Sequence, residues 1–127
     1  MELVAIVVIL AVMQFTVFGA LVGKARGTYN IEAPAVTGHP VFERYYRVHM
    51  NTLESLILFL PAIFLFATYV HALAAAALGV IYLIGRQLYF SAYVKDPKTR
   101  SLGFMLTLLP SAILALGALV GAVLRLF

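Results

Sequence analysis

Two short stretches of the chain carry polar side chains at spacings that would gather them on single helix faces. In the first stretch, Arg47, Asn51 and Glu54 follow one another at intervals of four and three residues. On a helix they lie within about 60° of one another, and Arg44 falls near the same line. Such a stripe suits a zwitterionic ligand, because arginine can clasp a carboxylate and glutamate can hold an ammonium group.

The second stripe combines aromatic hydroxyls with another arginine. Tyr82, Arg86, Tyr89 and Tyr93 are spaced by four, three and four residues, and Arg100 follows shortly after them. An arginine and a tyrosine hydroxyl near a thiol would favour the thiolate, since the pKa of a free cysteine-type thiol is about 8.5. A peptide thiol such as glutathione therefore suits the two stripes. This reasoning permits a thiol transferase and does not select one.

The same side chains also have structural explanations. Arg47 and Glu54 could pair with each other within a bundle. Tyr89 and Tyr93 could be aromatic residues at a membrane interface, and basic residues near span ends could only set topology. Ionisable groups inside a membrane are costly, about 2.5–3.5 kcal/mol each on insertion scales, and this cost favours a functional interpretation.

Several other kinds of site are excluded by the residue types present. The chain has no cysteine, which excludes disulfides, thiolate metal sites and a cysteine nucleophile. His39, His49 and His71 are scattered along the sequence, so no metal site is expected. The chain has no Ser–His–Asp arrangement, and it contains no HExxH, GxGxxG or P-loop pattern.

The composition predicts that the two stripes lie in membrane helices. Hydrophobic residues make up 64% of the 127 residues and charged residues 11%, whereas soluble domains have about 45–50% and 25%. A small soluble domain could not bury so much apolar surface. We expect one all-α domain over residues 1–127, an integral membrane four-helix bundle. The predicted spans cover about residues 3–23, 41–70, 72–94 and 97–125.

Runs without charged residues set these spans, because a membrane helix needs about 20 apolar residues. Leu3–Gly23 and Ser101–Leu124 each suit one span. The charge-free run Ser55–Gly85 is too long for one span, so we divide it near Tyr69–Leu73 into two helices with polar extensions. Asp96-Pro97 suits the start of the fourth helix.

Prolines and glycines predict where the chain departs from straight helices. Residues 24–40 contain Gly27, Pro34 and Gly38 and end at Pro40, so we expect a loop there. Two further prolines lie in the middle of predicted spans, where we expect kinks that membrane helices tolerate. These are Pro61 and Pro110.

Basic residues predict the orientation of the bundle. Eight of the nine Lys and Arg side chains fall at two junctions, one after the first span and one between the third and fourth spans. These are Lys24, Arg26, Arg44, Arg47, Arg86, Lys95, Lys98 and Arg100, and the ninth is Arg125. The positive-inside rule places both junctions and the polar stripes on the cytosolic side, with both termini away from the cytosol. This topology explains the net charge of +4, so no nucleic-acid partner is expected.

The two stripes lie within motifs that resemble those of the MAPEG family, the membrane-associated proteins of eicosanoid and glutathione metabolism. Residues 42–54 read FERYYRVHMNTLE, and residues 86–93 read RQLYFSAY. DPKTR at residues 96–100 and GF at 103–104 complete the second motif. With the four-span layout, the joint match covers nearly the whole chain. It is most similar to the bacterial-type members that resemble microsomal glutathione S-transferases.

The resemblance implies a homotrimer that binds glutathione between neighbouring subunits near the cytosolic face. It implies that Arg100 is catalytic and stabilises the thiolate, with Arg44 and Arg86 in supporting roles. The implied glutathione-binding residues are Arg26, Arg47, His49, Asn51, Glu54, Tyr89 and Tyr93. His49 would serve the site of the adjacent subunit, which fits its position about 200° from Arg47 around the helix.

The resemblance further implies a membrane-bound glutathione transferase in a detoxification role. Glutathione would be the co-substrate, without a metal, and its thiolate would attack lipophilic electrophiles that enter from the bilayer. The same site could reduce lipid hydroperoxides. Ser55 stands where the leukotriene-forming branch has a tyrosine, and Gly27 replaces a second loop arginine of that branch, so an eicosanoid substrate is not implied. The bacterial-type motifs indicate the bacterial inner membrane.

Two alternatives come from other functional classes. A non-catalytic scaffold that binds membrane lipid could use the same fold, although the retained polar set argues against it. A small four-helix drug exporter would also have this length. Such exporters resemble one another in carrying an acidic residue within the first span, and Leu3–Gly23 has none.

Overall fold

Four long helices make up the computed structural model, which describes residues 1–127. The helices are α1 (Glu2–Tyr29), α2 (Pro40–Tyr69), α3 (Ala72–Lys95) and α4 (Ser101–Leu124). A single turn of 3-10 helix, Pro97–Thr99, lies between α3 and α4. α2 and α3 pack against each other, and α1 and α4 each contact both of them. The predicted all-α, four-helix fold is confirmed.

The first helix is longer than its apolar run, so the prediction of a loop from residue 24 is wrong for residues 24–29. α1 continues to Tyr29 and ends at Asn30, whose φ of 56° places it in the left-handed region. The Asn30 and Ile31 amides both donate to the carbonyl of Arg26 and close the helix. Gly27 alone does not break a helix, and the first proline of this segment comes only at residue 34.

Two histidines begin helices at opposite ends of the bundle. His39 Nδ1 accepts a hydrogen bond from the Val41 amide at 3.1 Å, and Pro40 takes the first position of α2. His71 Nδ1 accepts from the Ala74 amide at 3.1 Å and begins α3. Both imidazoles therefore satisfy backbone amides that have no partner within their own helix.

The junction between α3 and α4 differs slightly from the prediction. Asp96 Oδ1 accepts a hydrogen bond from the Lys98 amide at 3.1 Å, so it caps the 3-10 turn and not α4 itself. α4 then begins at Ser101, directly after Arg100. Helices α2 and α4 each continue past their internal proline, Pro61 or Pro110.

The outer surface of the bundle is apolar. Only 27 of the 127 residues are buried, and the exposed fraction is 71% at Ile57 and 61% at Leu119. Soluble monomers rarely expose continuous apolar patches beyond a few hundred Å². All four helices are long and apolar enough to cross a membrane. The core lies between them and contains large side chains such as Phe59, Ile63 and Tyr82.

Arginines tie the helices together at both ends. At one end, Arg44 Nη1 donates to the carbonyls of Val94 (3.3 Å) and Lys95 (3.0 Å) and joins the start of α2 to the end of α3. At the other end, Arg125 Nη2 donates to the Thr68 carbonyl at 3.5 Å. The α1–α2 connection and the α3–α4 junction thus share one end of the bundle. Seven of the other eight basic residues lie at this end, and Arg86 lies further inside the bundle.

Candidate functional site

A cavity of about 400 Å³ lies between α2, α3 and α4 near the basic end of the bundle. It receives polar side chains from all three helices. Its lining consists of Asn51, Glu54, Ser55, Leu58, Arg86, Tyr89, Arg100, Phe104, Thr107, Leu108 and Ser111. Five of the sequence-predicted site residues meet here: Asn51, Glu54, Arg86, Tyr89 and Arg100.

Two hydrogen bonds between side chains connect α2 to α3 at this cavity. Asn51 Nδ2 donates to the Tyr89 hydroxyl at 2.8 Å. The Ser55 and Tyr82 hydroxyl oxygens are 2.7 Å apart, and Ser55 also donates to the Thr52 carbonyl at 2.8 Å. Because the single Ser55 proton goes to Thr52, Tyr82 is the donor to Ser55. The Ser55 oxygen therefore acts as an acceptor, and Ser55 lines the cavity.

Arg86 is the buried cation of the site, with an exposed fraction of 2%. Its guanidinium carbon lies 4.0 Å from the centre of the Tyr89 ring. Its Nε and Nη2 atoms are buried without a hydrogen-bond partner. The one ion pair of the chain joins the N-terminal ammonium to Glu2, so no carboxylate neutralises Arg86. A buried and unpaired guanidinium is costly, and this cost points to an anionic partner supplied from outside the chain.

Arg100 has a different environment from Arg86. It precedes α4, is exposed, and donates from Nη1 to the Pro97 carbonyl at 3.0 Å. Close packing of α4 on α3 sets its distance from Arg86: a Cβ at Gly85 would lie 2.6 Å from Leu106 Cβ. Gly85, the α3 neighbour of Arg86, is therefore level with Leu106, six residues or about 9 Å further along the chain than Arg100. The cavity has one cation at its mouth and another in its interior.

Four α4 side chains in the lining were not predicted from sequence: Phe104, Thr107, Leu108 and Ser111. Thr107 and Ser111 are buried, and their hydroxyls donate to the carbonyls of Gly103 (2.7 Å) and Thr107 (2.8 Å). Their oxygens keep lone pairs free to accept. A spacing signal was available, because Arg100, Phe104, Thr107 and Ser111 are separated by four, three and four residues, as in the stripe on α3.

Three of the predicted residues lie in a separate groove of about 250 Å³ beside the cavity. Arg44, Arg47 and Tyr93 line it together with residues of the α1–α2 connection. The Tyr93 ring stacks on the Tyr89 ring with centres 5.5 Å apart, which places the two depressions side by side. Arg47 and Glu54 make no ion pair, so pairing within the bundle does not explain them.

Arg26 and His49 do not line the cavity of their own chain. Arg26 is in the last turn of α1, donates from Nη1 to the carbonyls of Ile31 (3.5 Å) and Ala35 (2.6 Å), and lies over the Phe42 ring. His49 stacks on Phe15 of α1 with ring centres 4.4 Å apart. His49 thus faces α1, whereas Asn51 and Glu54 face the cavity between α2, α3 and α4.

An apolar groove of about 340 Å³ continues from the cavity along α2 and α4. Leu58 lines both, and on α4 the cavity ends at Ser111 where the groove begins one turn later at Ala115. Nine of its ten lining residues are hydrophobic, and the groove reaches Tyr69 and Ala122. The depression therefore changes from polar and cationic to apolar along its length, which suits a polar ligand and a lipophilic one side by side.

Comparison with known proteins bears on this arrangement. The sequence model described as the MAPEG family matches residues 3–120. An uncharacterised protein of Synechocystis sp. is 45% identical over 115 residues, which cover 91% of this chain and 84% of that protein. Human microsomal glutathione S-transferase 2 is 42% identical over 120 residues, covering 94% and 80%. Leukotriene C4 synthase of Cavia porcellus is 37% identical over 98 residues, covering 77% and 65%.

Proposed function

We propose a function from the premise that this chain belongs to the MAPEG family and is an integral, multi-pass membrane protein. The proposed activity is that of a membrane-bound glutathione transferase. Glutathione thiolate would attack a lipophilic electrophile, forming a carbon–sulfur bond as the leaving group departs. Two of the relatives are named as a glutathione S-transferase and a leukotriene C4 synthase, and the proposal extends a glutathione-dependent activity to this chain.

The observation that carries the proposal is the cationic cavity that opens into an apolar groove. Arg86 and Arg100 outnumber Glu54 in the lining, so the cavity favours a ligand with net negative charge, such as glutathione. Arg100 at its mouth would stabilise the thiolate. Glu54, Asn51 and Tyr89 would position the peptide, since holding both reactants in a reactive geometry lowers the barrier. The groove would hold the apolar co-substrate.

We further propose that the site is completed by assembly into a homotrimer. Arg47 and Tyr93 lie beside the cavity and would contact glutathione from the same chain, with Arg44 in support. Arg26 and His49 face away from that chain's cavity and would contribute to the site of a neighbouring copy. The basic end of the bundle would face the cytosol, with both termini on the other side of a bacterial inner membrane.

Glutathione binding to the detergent-purified protein tests the proposal directly. We expect the ultraviolet absorbance of the thiolate to appear well below the free thiol's pKa of about 8.5. In Arg100→Ala this signal should be lost, and kcat should fall by about 10²–10³ while the Kd for glutathione rises much less. Absence of glutathione binding at millimolar concentration would contradict the proposal, as would full turnover in Arg100→Ala.

The apolar groove also supports a second candidate, a non-catalytic protein that binds membrane lipid. The same experiment separates the two functions. A lipid-binding scaffold would retain lipid through purification but would give no thiolate signal and no conjugation of any electrophile. Reduction of lipid hydroperoxides is a further proposed activity of the first candidate, measured as glutathione disulfide formed in the presence of a fatty-acid hydroperoxide.

A further inference from the structure

We propose that Arg86 stabilises the anionic oxygen that forms on the co-substrate when the thiolate attacks it. This inference rests on the proposed transferase function and goes beyond it, because it assigns the interior cation a role separate from that of Arg100. The site would favour lipophilic electrophiles whose reacting atom is bonded to oxygen, such as epoxides and hydroperoxides.

The first argument is the unsatisfied charge of Arg86. Its Nε and Nη2 atoms carry three N–H donors between them, and both atoms are buried without a partner. The hydroxyl groups of Ser55, Thr107 and Ser111 in the cavity lining donate to backbone carbonyls, and none of their oxygens accepts from Arg86 Nε or Nη2. None of these groups carries negative charge. The interior of the cavity therefore holds a preformed donor site for an anion that the chain does not supply.

The second argument is the depth of Arg86 along the bundle. Its neighbour on α3, Gly85, packs against Leu106, which lies between Arg100 at the mouth and the start of the apolar groove at Ala115. A lipophilic molecule with its tail in the groove would bring its reactive head to this level. A thiolate held near Arg100 would approach that head from the other side. Arg86 is thus placed beside the atom that leaves, and Arg100 beside the atom that attacks.

The third argument is rigidity. The guanidinium rests 4.0 Å from the centre of the Tyr89 ring, and the Tyr89 hydroxyl is held by Asn51 at 2.8 Å. A donor fixed before the reaction stabilises developing charge without reorganisation, and removing one such donor typically lowers kcat by about 10²–10³. Arg86 meets this requirement better than the exposed Arg100.

The chemical step balances for both substrate types. With an epoxide, sulfur bonds to a ring carbon, the carbon–oxygen bond breaks, and its electron pair leaves an alkoxide that takes a proton from water. With a hydroperoxide, sulfur bonds to the terminal oxygen and the oxygen–oxygen bond breaks. That reaction gives an alkoxide and the sulfenic acid of glutathione, which a second glutathione converts to the disulfide and water. In each case Arg86 would pair with the alkoxide.

Two electrophiles with the same alkyl tail test the assignment: a long-chain terminal epoxide and the matching alkyl iodide. Iodide is the anion of a strong acid and needs little stabilisation. In Arg86→Gln we expect kcat for the epoxide to fall about 100-fold, kcat for the iodide to fall by threefold at most, and the Kd for glutathione to stay within threefold. Arg86→Lys keeps the positive charge without the planar guanidinium. In this variant kcat for the epoxide should fall about tenfold, and kcat for the iodide should not fall.

Arg125→Gln is the matched control, because Arg125 also lies over a tyrosine ring, that of Tyr69, at the opposite end of the bundle. It should change neither rate. An equal loss on both electrophiles, or a tenfold rise in the Kd for glutathione, would assign Arg86 to the thiolate or to the peptide and overturn the proposal. If the unmodified protein does not conjugate glutathione to the alkyl iodide at all, this result would instead contradict the transferase function itself.

The unmodified protein offers a test that needs no folded variant. With the glutathione site saturated by S-methylglutathione, a long-chain carboxylate should bind at least tenfold more tightly than the alcohol of equal length, both expressed as mole fractions in the micelle. The carboxylate mimics the anionic oxygen at the end of the tail. Equal binding of the two would overturn the proposal.

Discussion

At the scale of single residues, the structure separates what helical spacing can predict from what it cannot. Spacing correctly indicated that Asn51 and Glu54 share one face, and they line one cavity. It could not indicate the partner of each side chain, because a partner depends on how two helices meet. The Asn51–Tyr89 and Ser55–Tyr82 bonds both cross from α2 to α3, and neither residue pair is marked by any local pattern.

The Asn51–Tyr89 hydrogen bond should couple the two residues in glutathione binding. We expect Asn51→Ala and Tyr89→Phe each to raise the Kd for glutathione about three- to tenfold, the effect of losing one hydrogen bond. The double variant should raise it by less than the product of the two single effects, because each change already removes the shared bond. Calorimetric titration of all four proteins measures this coupling. Strictly multiplicative effects would show that the two side chains act independently.

At the scale of elements, the ends of the helices were harder to predict than their existence. An apolar run marks the part of a helix that contacts lipid. The helix itself extends beyond that run for as long as successive residues can form the backbone hydrogen bonds of a helix. α1 therefore continues past Gly23 and stops at the left-handed Asn30. Similarly, Asp96 was recognised as a cap, but the short 3-10 turn between it and α4 has no apolar pattern of its own.

Close approach of α3 and α4 positions the cavity, and two glycines permit it. A Cβ at Gly103 would overlap the backbone of Tyr89, and one at Gly85 would meet Leu106. Small residues allow membrane helices to pack closely in this way. The site therefore depends on residues that contribute no chemistry to it.

Gly103→Ala should separate the two helices and destabilise the protein by about 1–3 kcal/mol, the usual cost of overpacking. We expect a lower Tm in detergent and weaker glutathione binding, because Tyr89 would shift. Gly23→Ala is the matched control, since a Cβ at Gly23 has no neighbour within 4 Å. Thermal unfolding of both variants checks this. An unchanged Tm in Gly103→Ala would mean that the packing adjusts elsewhere.

At the scale of the whole molecule, the two faces of α2 predict how copies of the chain share a site. His49 lies against Phe15 on the α1 side, and Arg47 lies in the groove beside the cavity. If a site takes Arg47 from one copy and His49 from the next, copies that each lack one of them can complement each other. His49→Phe is the suitable change, because phenylalanine keeps the stacking on Phe15.

Co-expressed Arg47→Ala and His49→Phe chains should therefore recover part of the activity that each loses alone. In the proposed homotrimer, a mixed assembly would have one boundary that joins an intact Arg47 to an intact His49. The check is turnover of tandem-purified mixed assemblies, with separately purified proteins combined after folding as the control. Activity no higher than the average of the two single variants would place both residues in one copy's site or outside it.

The apolar groove along α2 and α4 has a consequence for how the protein would meet the proposed lipophilic co-substrate. Ile57 and Leu119, which line it, are mostly exposed on the outside of the bundle, where the solvent of a membrane protein is hydrocarbon and not water. Occupancy of the groove is then set by the ligand's mole fraction in the surrounding lipid. Adding lipid therefore dilutes the ligand and lowers occupancy, even when the total amount of ligand is constant. Conversely, a molecule that partitions strongly into lipid reaches a high mole fraction there and can fill the groove even if it binds weakly.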